Sequence, residues 1–150
     1  MTRSHPLLSF EEWEKSAGAG FSGDPLWSIQ AYRRAQYAVD VHTHDRRSNS
    51  QLVSAPAFDQ LTRALGSISA NIAEGYSRNS AADRARFYSY ALGSTREALA
   101  WYNTLRIELG PVVDDRQALL IQIRRLLLTT LRNMRLSDPT AMLTDFRRRK

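Results

Sequence analysis

"SISANIAEGYSRNS" (Ser67–Ser80) is the stretch whose reading decides the fold. Ile68 and Ile72 continue an apolar seam begun by Phe58, Leu61 and Leu65, in alternating steps of three and four residues. That spacing keeps all five side chains on one face of a helix. The pattern stops at Glu74-Gly75, where glycine is expected to close the helix as a left-handed C-terminal cap. "YSRN" then makes a turn, and Ser80 is expected to cap a following helix that carries Asp83 in its first turn. The stretch therefore predicts a helical hairpin. Its polar residues raise a second question. A carboxylate at a helix C-terminus is unfavourable by about 0.3–1 kcal/mol, so Glu74 calls for a cation, and Arg78 or Arg84 is placed to supply it. Asn71 lies at the edge of the seam, within reach of a neighbouring helix or its loop. Asn71, Glu74, Gly75 and Arg78 are either a small polar site at one end of the molecule or a hydrogen-bond network that locks the turn.

Working outward, the helix after Ser80 holds Phe87, Tyr90, Ala91, Ser94, Ala98, Trp101, Tyr102, Leu105 and Leu109 in one sector. Gly110-Pro111 is expected to end it. A last helix is expected after Asp114-Asp115, with Leu119, Leu120, Ile123, Leu126, Leu127, Leu131 and Met134 as its core face. Upstream, Asp24-Pro25 reads as an N-cap with proline at the first helical position. The helix that follows sets Trp27, Ala31, Ala35, Ala38 and Val39 on one side. "HTHDRRSNSQ" (His42–Gln51) reads as a loop or fraying end. No period-two alternation predicts a strand. Four helices with short connections imply an all-α, antiparallel up-down-up-down four-helix bundle over residues 24–136. Before it, residues 1–23 form an N-terminal extension. There Ser9 and Glu12 make a capping box for a short helical turn, and "KSAGAGFSGD" (Lys15–Asp24) reads as a Gly/Ser-rich linker. Residues 137–150 form a basic C-terminal tail ending in "RRRK".

A chain of 150 residues suits one domain. It has no cysteine, which removes disulfides and thiolate metal sites. No apolar run reaches the ~18 residues of a membrane span, and the N-terminus lacks the apolar core of a secretory signal, so a cytoplasmic protein is expected. Residues 1–24 set Arg3 and Lys15 against Glu11, Glu12, Glu14 and Asp24, a net −2 that leaves +8 for the remainder of a +6 chain. Nearly all of that charge is arginine, whose fork suits phosphate and carboxylate. RNA or DNA is thus a reasonable partner, the alternative being coding bias combined with solubility charge.

The clearest basic feature is on the last helix, where Arg124, Arg125, Arg132 and Arg135 share a sector with Ile121 and Leu128. Such a stripe suits phosphates; it also suits a protein contact with an apolar centre and an arginine rim, and the plainest alternative is a solvated face. Tyr88, Leu92 and Leu99 form a second apolar strip on the preceding helix, and two doubly apolar helices favour a homo-oligomer. His42 and His44 are two residues apart, the wrong spacing for one helical face, and read as exposed loop histidines. No metal or other cofactor is expected. Asp114 and Asp115 read as a helix start, and no nucleophile setting or phosphate-cradling glycine loop accompanies them, so the chain is expected not to be an enzyme.

Ser67, Ile68, Asn71, Ile72, Ala73, Glu74 and Gly75, followed by Phe87, Ala91, Gly93, Ser94 and Glu97, closely resemble a known pattern. It is the paired motif of the four-helix-bundle proteins associated with intervening sequences in bacterial 23S rRNA genes. The resemblance covers about residues 24–135, including "DPLWSIQAYRRA" at the opening helix. Two departures stand out. Ser69 replaces the family's common proline, which removes any kink it would impose, and the extension at residues 1–23 is longer than usual. The resemblance implies a homopentamer of antiparallel bundles, often with a positively charged surface. Distantly similar proteins are the accessory subunits of diversity-generating retroelements, which bind RNA and DNA.

Overall fold

The computed structural model describes residues 6–49 and 56–138, and among them the regular structure is entirely helical. Two short helices come first, α1 (Phe10–Ser16) and α2 (Ala19–Ser22), then a 3₁₀ turn at Pro25–Ser28. Four long helices follow, interrupted by one short one: α3 (Gln30–Ser48), α4 (Pro56–Tyr76), α5 (Ala81–Thr104), α6 (Arg106–Leu109) and α7 (Val112–Ser137). α4 packs against α3 and α5, and α7 closes the ring by packing against α5 and α3. No helix among the described residues is long and apolar enough to cross a membrane.

The seam that predicts α4 is its buried face: Phe58, Leu61, Leu65, Ile68 and Ile72 are all inaccessible or nearly so. At about 1.5–3 kcal/mol for each large apolar side chain removed from water, this seam is the main apolar contribution of α4. Val113, Leu120, Ile123, Leu127 and Leu131 face it from α7, and Ala31, Ala35, Ala38 and Val41 from α3. The small residues of α3 let its backbone approach closely.

Several expectations change. Asp24 does cap a helical turn, its carboxylate accepting from Leu26 N at 2.8 Å, but that turn is 3₁₀ and breaks at Ile29 before α3 begins. α3 then continues through Ser48, so His42 lies inside a helix and not in a loop. The helix persists because His42 and Asp45 extend the buried face and find partners there. On α5 the buried sector is Tyr88, Ala91, Leu92, Thr95, Ala98 and Tyr102. α5 is flanked by both α4 and α7, which centres burial on this sector, and Tyr90 turns out to 51% exposure while Phe87 and Trp101 are half-buried. Tyr88 and Leu92 thus belong to the core, and they give no second apolar strip for a partner. α5 stops at Thr104, ahead of Gly110, the one described residue with positive φ (70°). Asp114 and Asp115 lie within the first turn of α7, where the dipole favours them.

Gly75 is not a left-handed cap. It sits inside α4, which runs without interruption through Ser69 to Tyr76. A Cβ there would lie 3.0 Å from Phe87 Cβ and 3.1 Å from the Tyr88 ring, so glycine is needed for close approach of α4 and α5. The 15–24 stretch is not wholly a linker either, since α2 forms within it and Phe21 packs on Trp27 and Tyr32. The Ser9–Glu12 capping box is present in both directions. The end of the expected basic tail, residues 139–150, lies outside the described residues, as do residues 1–5 of the extension.

Candidate nucleic-acid interface

Steps of three, four and seven residues line Ile121, Arg124, Arg125, Leu128, Arg132 and Arg135 along one side of α7. Arg125, Arg132 and Arg135 are exposed, Arg124 is half-buried, and Leu128 is 43% exposed between them. Among the described residues none of these four arginines is ion-paired. Elsewhere guanidinium groups are engaged: Arg33 with Glu14, Arg78 with Glu74, Arg86 with Asp83, Arg106 with Asp114, Arg116 with Asp45. At 1.5 Å rise per residue the row from Arg124 to Arg135 spans about 16 Å. With one phosphate per ~3.4 Å of axis on each strand, that is the length of about five phosphates. The row can therefore follow a nucleic-acid backbone without first breaking internal ion pairs.

The hairpin residues are brought together at the junction of α4 and α5. Arg78 pairs with Glu74, stacks its guanidinium 4.7 Å from the Phe87 ring, and lends its carbonyl to Arg84 at 3.1 Å. Arg78 is therefore Glu74's partner, and Arg84 instead ties the turn to the start of α5. Asn71 does not reach across. Its amide donates to the Ser67 carbonyl and hydroxyl at 2.8 and 2.9 Å, and the Ser67 hydroxyl accepts from Ser94 of α5 at 2.9 Å. Arg84 also lines a hollow with Ala81 of α5 and with Thr130, Asn133, Met134 and Ser137 of α7, so the start of α5 adjoins the last turns of α7.

A third polar cluster was not foreseen from the sequence. Asp45 accepts two 2.8 Å hydrogen bonds from the fork of Arg116, with side chains only 8% and 12% exposed. Burial works against the charged guanidinium, but the hydrogen bonds and charge of Asp45 outweigh it and leave the Arg116 pKa raised. Nearby, Tyr102 is held protonated by burial and by the negative charge of Asp45. One turn before Asp45, His42 is buried against Phe58, its Nε2 2.7 Å from Thr62 Oγ1. Thr62 gives its own proton to the Phe58 carbonyl at 2.9 Å, so Nε2 of His42 is the donor. Desolvation lowers its pKa to about 4, against the pull of Asp45. His42 is therefore a core residue, not an exposed loop histidine. The available signal was the step pattern Ala31, Ala35, Ala38, His42, Asp45, which carries the buried face past its last apolar member.

A comparison with curated protein sequences found no match. A match to a family does appear, over residues 32–126, whose description is 23S rRNA-intervening sequence protein. It runs from Tyr32 in α3 to Leu126 in α7 and contains the hairpin, the Asp45–Arg116 pair, Arg124 and Arg125. It leaves out the extension, and it stops before Arg132 and Arg135. Covering well over half of the 150 residues, the match agrees with the paired hairpin motif, and the chain belongs to the 23S rRNA-intervening sequence protein family.

Proposed function

We propose that the chain is a non-enzymatic, cytoplasmic, oligomeric scaffold that binds RNA or DNA through the arginine row of α7. The observation that carries this reading is the row itself: four guanidinium groups on one helix side, none ion-paired among the described residues, around an exposed leucine. Its backbone is an antiparallel up-down-up-down four-helix bundle. Cross-contacts that support this connectivity are Ser67–Ser94 and Gly75–Phe87 between α4 and α5, and Arg34–Gln122 and Asp45–Arg116 between α3 and α7. The assembly is a homopentamer, as the family resemblance implies. Groups capable of acid-base chemistry are used structurally, with His42 tied to Thr62 and Asp45 to Arg116, which supports a binding role over a catalytic one.

Binding to RNA or DNA measured over a salt series tests this reading. Neutralising several phosphates makes affinity fall steeply with salt, and Arg125→Ala with Arg132→Ala reduces both affinity and the salt slope by about two counterions. Affinity indifferent to salt and to those arginines overturns it. Sedimentation of the full chain is expected to give the mass of five chains, and a monomer would refute the assembly. Exposed Leu128 and Tyr90 favour a second reading, a protein-interaction scaffold without nucleic acid, in which Leu128→Asp breaks the complex and salt has little effect.

A further inference from the structure

The part of the chain outside the family match is not idle surface. Residues 8–21 lie along α3 on the side away from Ala31, Ala35 and Ala38, and each of their contacts answers a particular group beneath. The Glu14 carboxylate meets Arg33 Nε at 2.7 Å. The Phe10 ring sits 4.4 Å from the Arg34 guanidinium and edge-on to Tyr37 at 5.4 Å. Trp13 tilts between Trp27 and Tyr37, at 5.7 and 5.6 Å, and donates its indole N–H to Asp40. Phe21 covers Trp27 and Tyr32. Guanidinium groups thus receive an anion or a ring, rings receive rings, and the one carboxylate in these contacts on the α3 side, Asp40, receives an N–H donor of the kind a base amine offers.

A single strand of nucleic acid offers the same two groups in alternation, phosphates for arginine and unpaired bases for aromatic faces. A duplex keeps its bases stacked inside and offers phosphates only. We propose that this face of α3, with Arg33, Arg34, Tyr37 and Trp27 at its centre, is a second nucleic-acid surface, selective for single strands, and that residues 8–21 are a strap that occupies it. The strap is suited to displacement. α1 and α2 are seven and four residues long and bury no residue fully, below the length at which a helix sustains itself. Leu8 and Phe21 stay 41% and 38% exposed. Glu11 and Glu12 stand exposed on the strap, so its charge repels a strand that has not displaced it. This surface adjoins α7 through Arg34, which donates to Gln122 at 2.8 Å, but it uses none of the four arginines of the α7 row.

Lysine occurs only at Lys15, at the end of α1, and at Lys150, which lets a lysine-specific protease report on the strap in the unaltered chain. Addition of a 12-nucleotide oligouridine is expected to speed cleavage at Lys15 several-fold, while a duplex of equal length leaves it unchanged. In parallel, Trp13→Ala with Glu14→Ala should raise affinity for labelled oligouridine about tenfold, the scale of one or two stacked bases. Adding Arg33→Ala and Arg34→Ala should remove that gain; adding Arg125→Ala and Arg132→Ala instead should leave the gain in place. Cleavage at Lys15 that ignores the single strand, or a gain that survives loss of Arg33 and Arg34, overturns the proposal. A gain that vanishes only with Arg125 and Arg132 assigns the binding to α7 and overturns it too. A gain intact in a chain whose salt series shows no role for α7 leaves the strap standing and removes the other reading.

Discussion

Asp45 and Arg116 come from different halves of the sequence, 71 residues apart, and meet in a bidentate contact with 8% and 12% of their side chains exposed. Glu74, in the last turn of α4, and Arg78, just beyond its end, are four residues apart and meet with 49% and 40% exposed. The charges are the same and the surroundings are not. Near water the attraction between unit charges at contact is screened to about 1 kcal/mol and offset by the entropy of holding two long side chains. In the interior each charge has lost its hydration, so each depends on the other being present. The end of the molecule with the conspicuous motif is therefore the one whose ion pair matters little to stability. The end that looks featureless in sequence holds the charge that the fold cannot leave alone.

Breaking the buried pair is the strongest way to test that contrast. Arg116→Ala leaves the Asp45 carboxylate dehydrated and without its bidentate partner, with only the His44 ring nitrogen 3.8 Å away, and is expected to cost about 3–5 kcal/mol in urea unfolding. Replacing both partners with apolar residues of similar size, Asp45→Leu with Arg116→Met, should cost far less than the single change. A single variant within 1 kcal/mol of the parent would mean that water reaches the pair, and the distinction between the two ends would fall.

The same end predicts a pH dependence of its own. His42 has a pKa of about 4 when folded, against 6.5 as an ordinary histidine. The unfolded chain therefore binds the proton more readily, and the stabilising contribution of neutral His42 is fully present above pH 6.5. It declines as the pH falls through the window from 6.5 to about 4, by up to about 3 kcal/mol in total. His42→Phe removes the titrating group, so its stability should lack that particular loss between pH 6.5 and 4. Parallel pH profiles of parent and variant would show that His42 is hydrated and that its end of the core is open.

What could be read from the residues follows from the kind of signal each one gives. Phe58, Leu61, Leu65, Ile68 and Ile72 are large, apolar and regularly spaced, and a one-helix argument suffices to bury them. α5 defeats that argument because two neighbours, α4 and α7, share its surface. The one-face reading does include Ala91, Ala98, Tyr102 and Leu105, which are buried, but it counts Phe87, Tyr90 and Trp101 as core and leaves out Tyr88, Leu92 and Thr95, the last of which satisfies its hydroxyl on the Ala91 carbonyl at 2.8 Å. Gly75 has two uses open to glycine, a left-handed turn or a close approach, and only the position of Phe87 and Tyr88 decides between them. Asp45 follows the seam of α3, but its partner lies beyond any local pattern. For the α7 row, spacing alone displayed the arginines; that no described carboxylate reaches them required the arrangement of every other helix. The strap carried a signal that was passed over: Phe10, Trp13 and Phe21 are costly to leave in water, and a segment containing them seeks a surface to cover.

The smallest effects are expected at the hairpin, and adjacent residues there separate packing from charge. Gly75→Ala puts a methyl group 3.0 Å from Phe87 Cβ, an atom fixed to the backbone. Overpacking of that kind costs about 1–3 kcal/mol, reduced by the roughly 1 kcal/mol that alanine gains over glycine inside a helix. The expected net loss is about 1 kcal/mol, whereas Gly93→Ala, with no neighbour within 4 Å, should gain a similar amount by propensity alone. Glu74→Ala removes only an exposed pair and should cost less than about 1 kcal/mol, while freeing Arg78 from its carboxylate and leaving its contact with Phe87. Thermal unfolding of the three variants checks the order. If Glu74→Ala keeps full stability and the same oligomeric state yet loses nucleic-acid binding, then Asn71, Glu74 and Arg78 form a recognition site and not a lock on the turn. If it loses several kcal/mol, the hairpin pair is coupled to the core like Asp45 and Arg116, and the two ends of the molecule are alike after all.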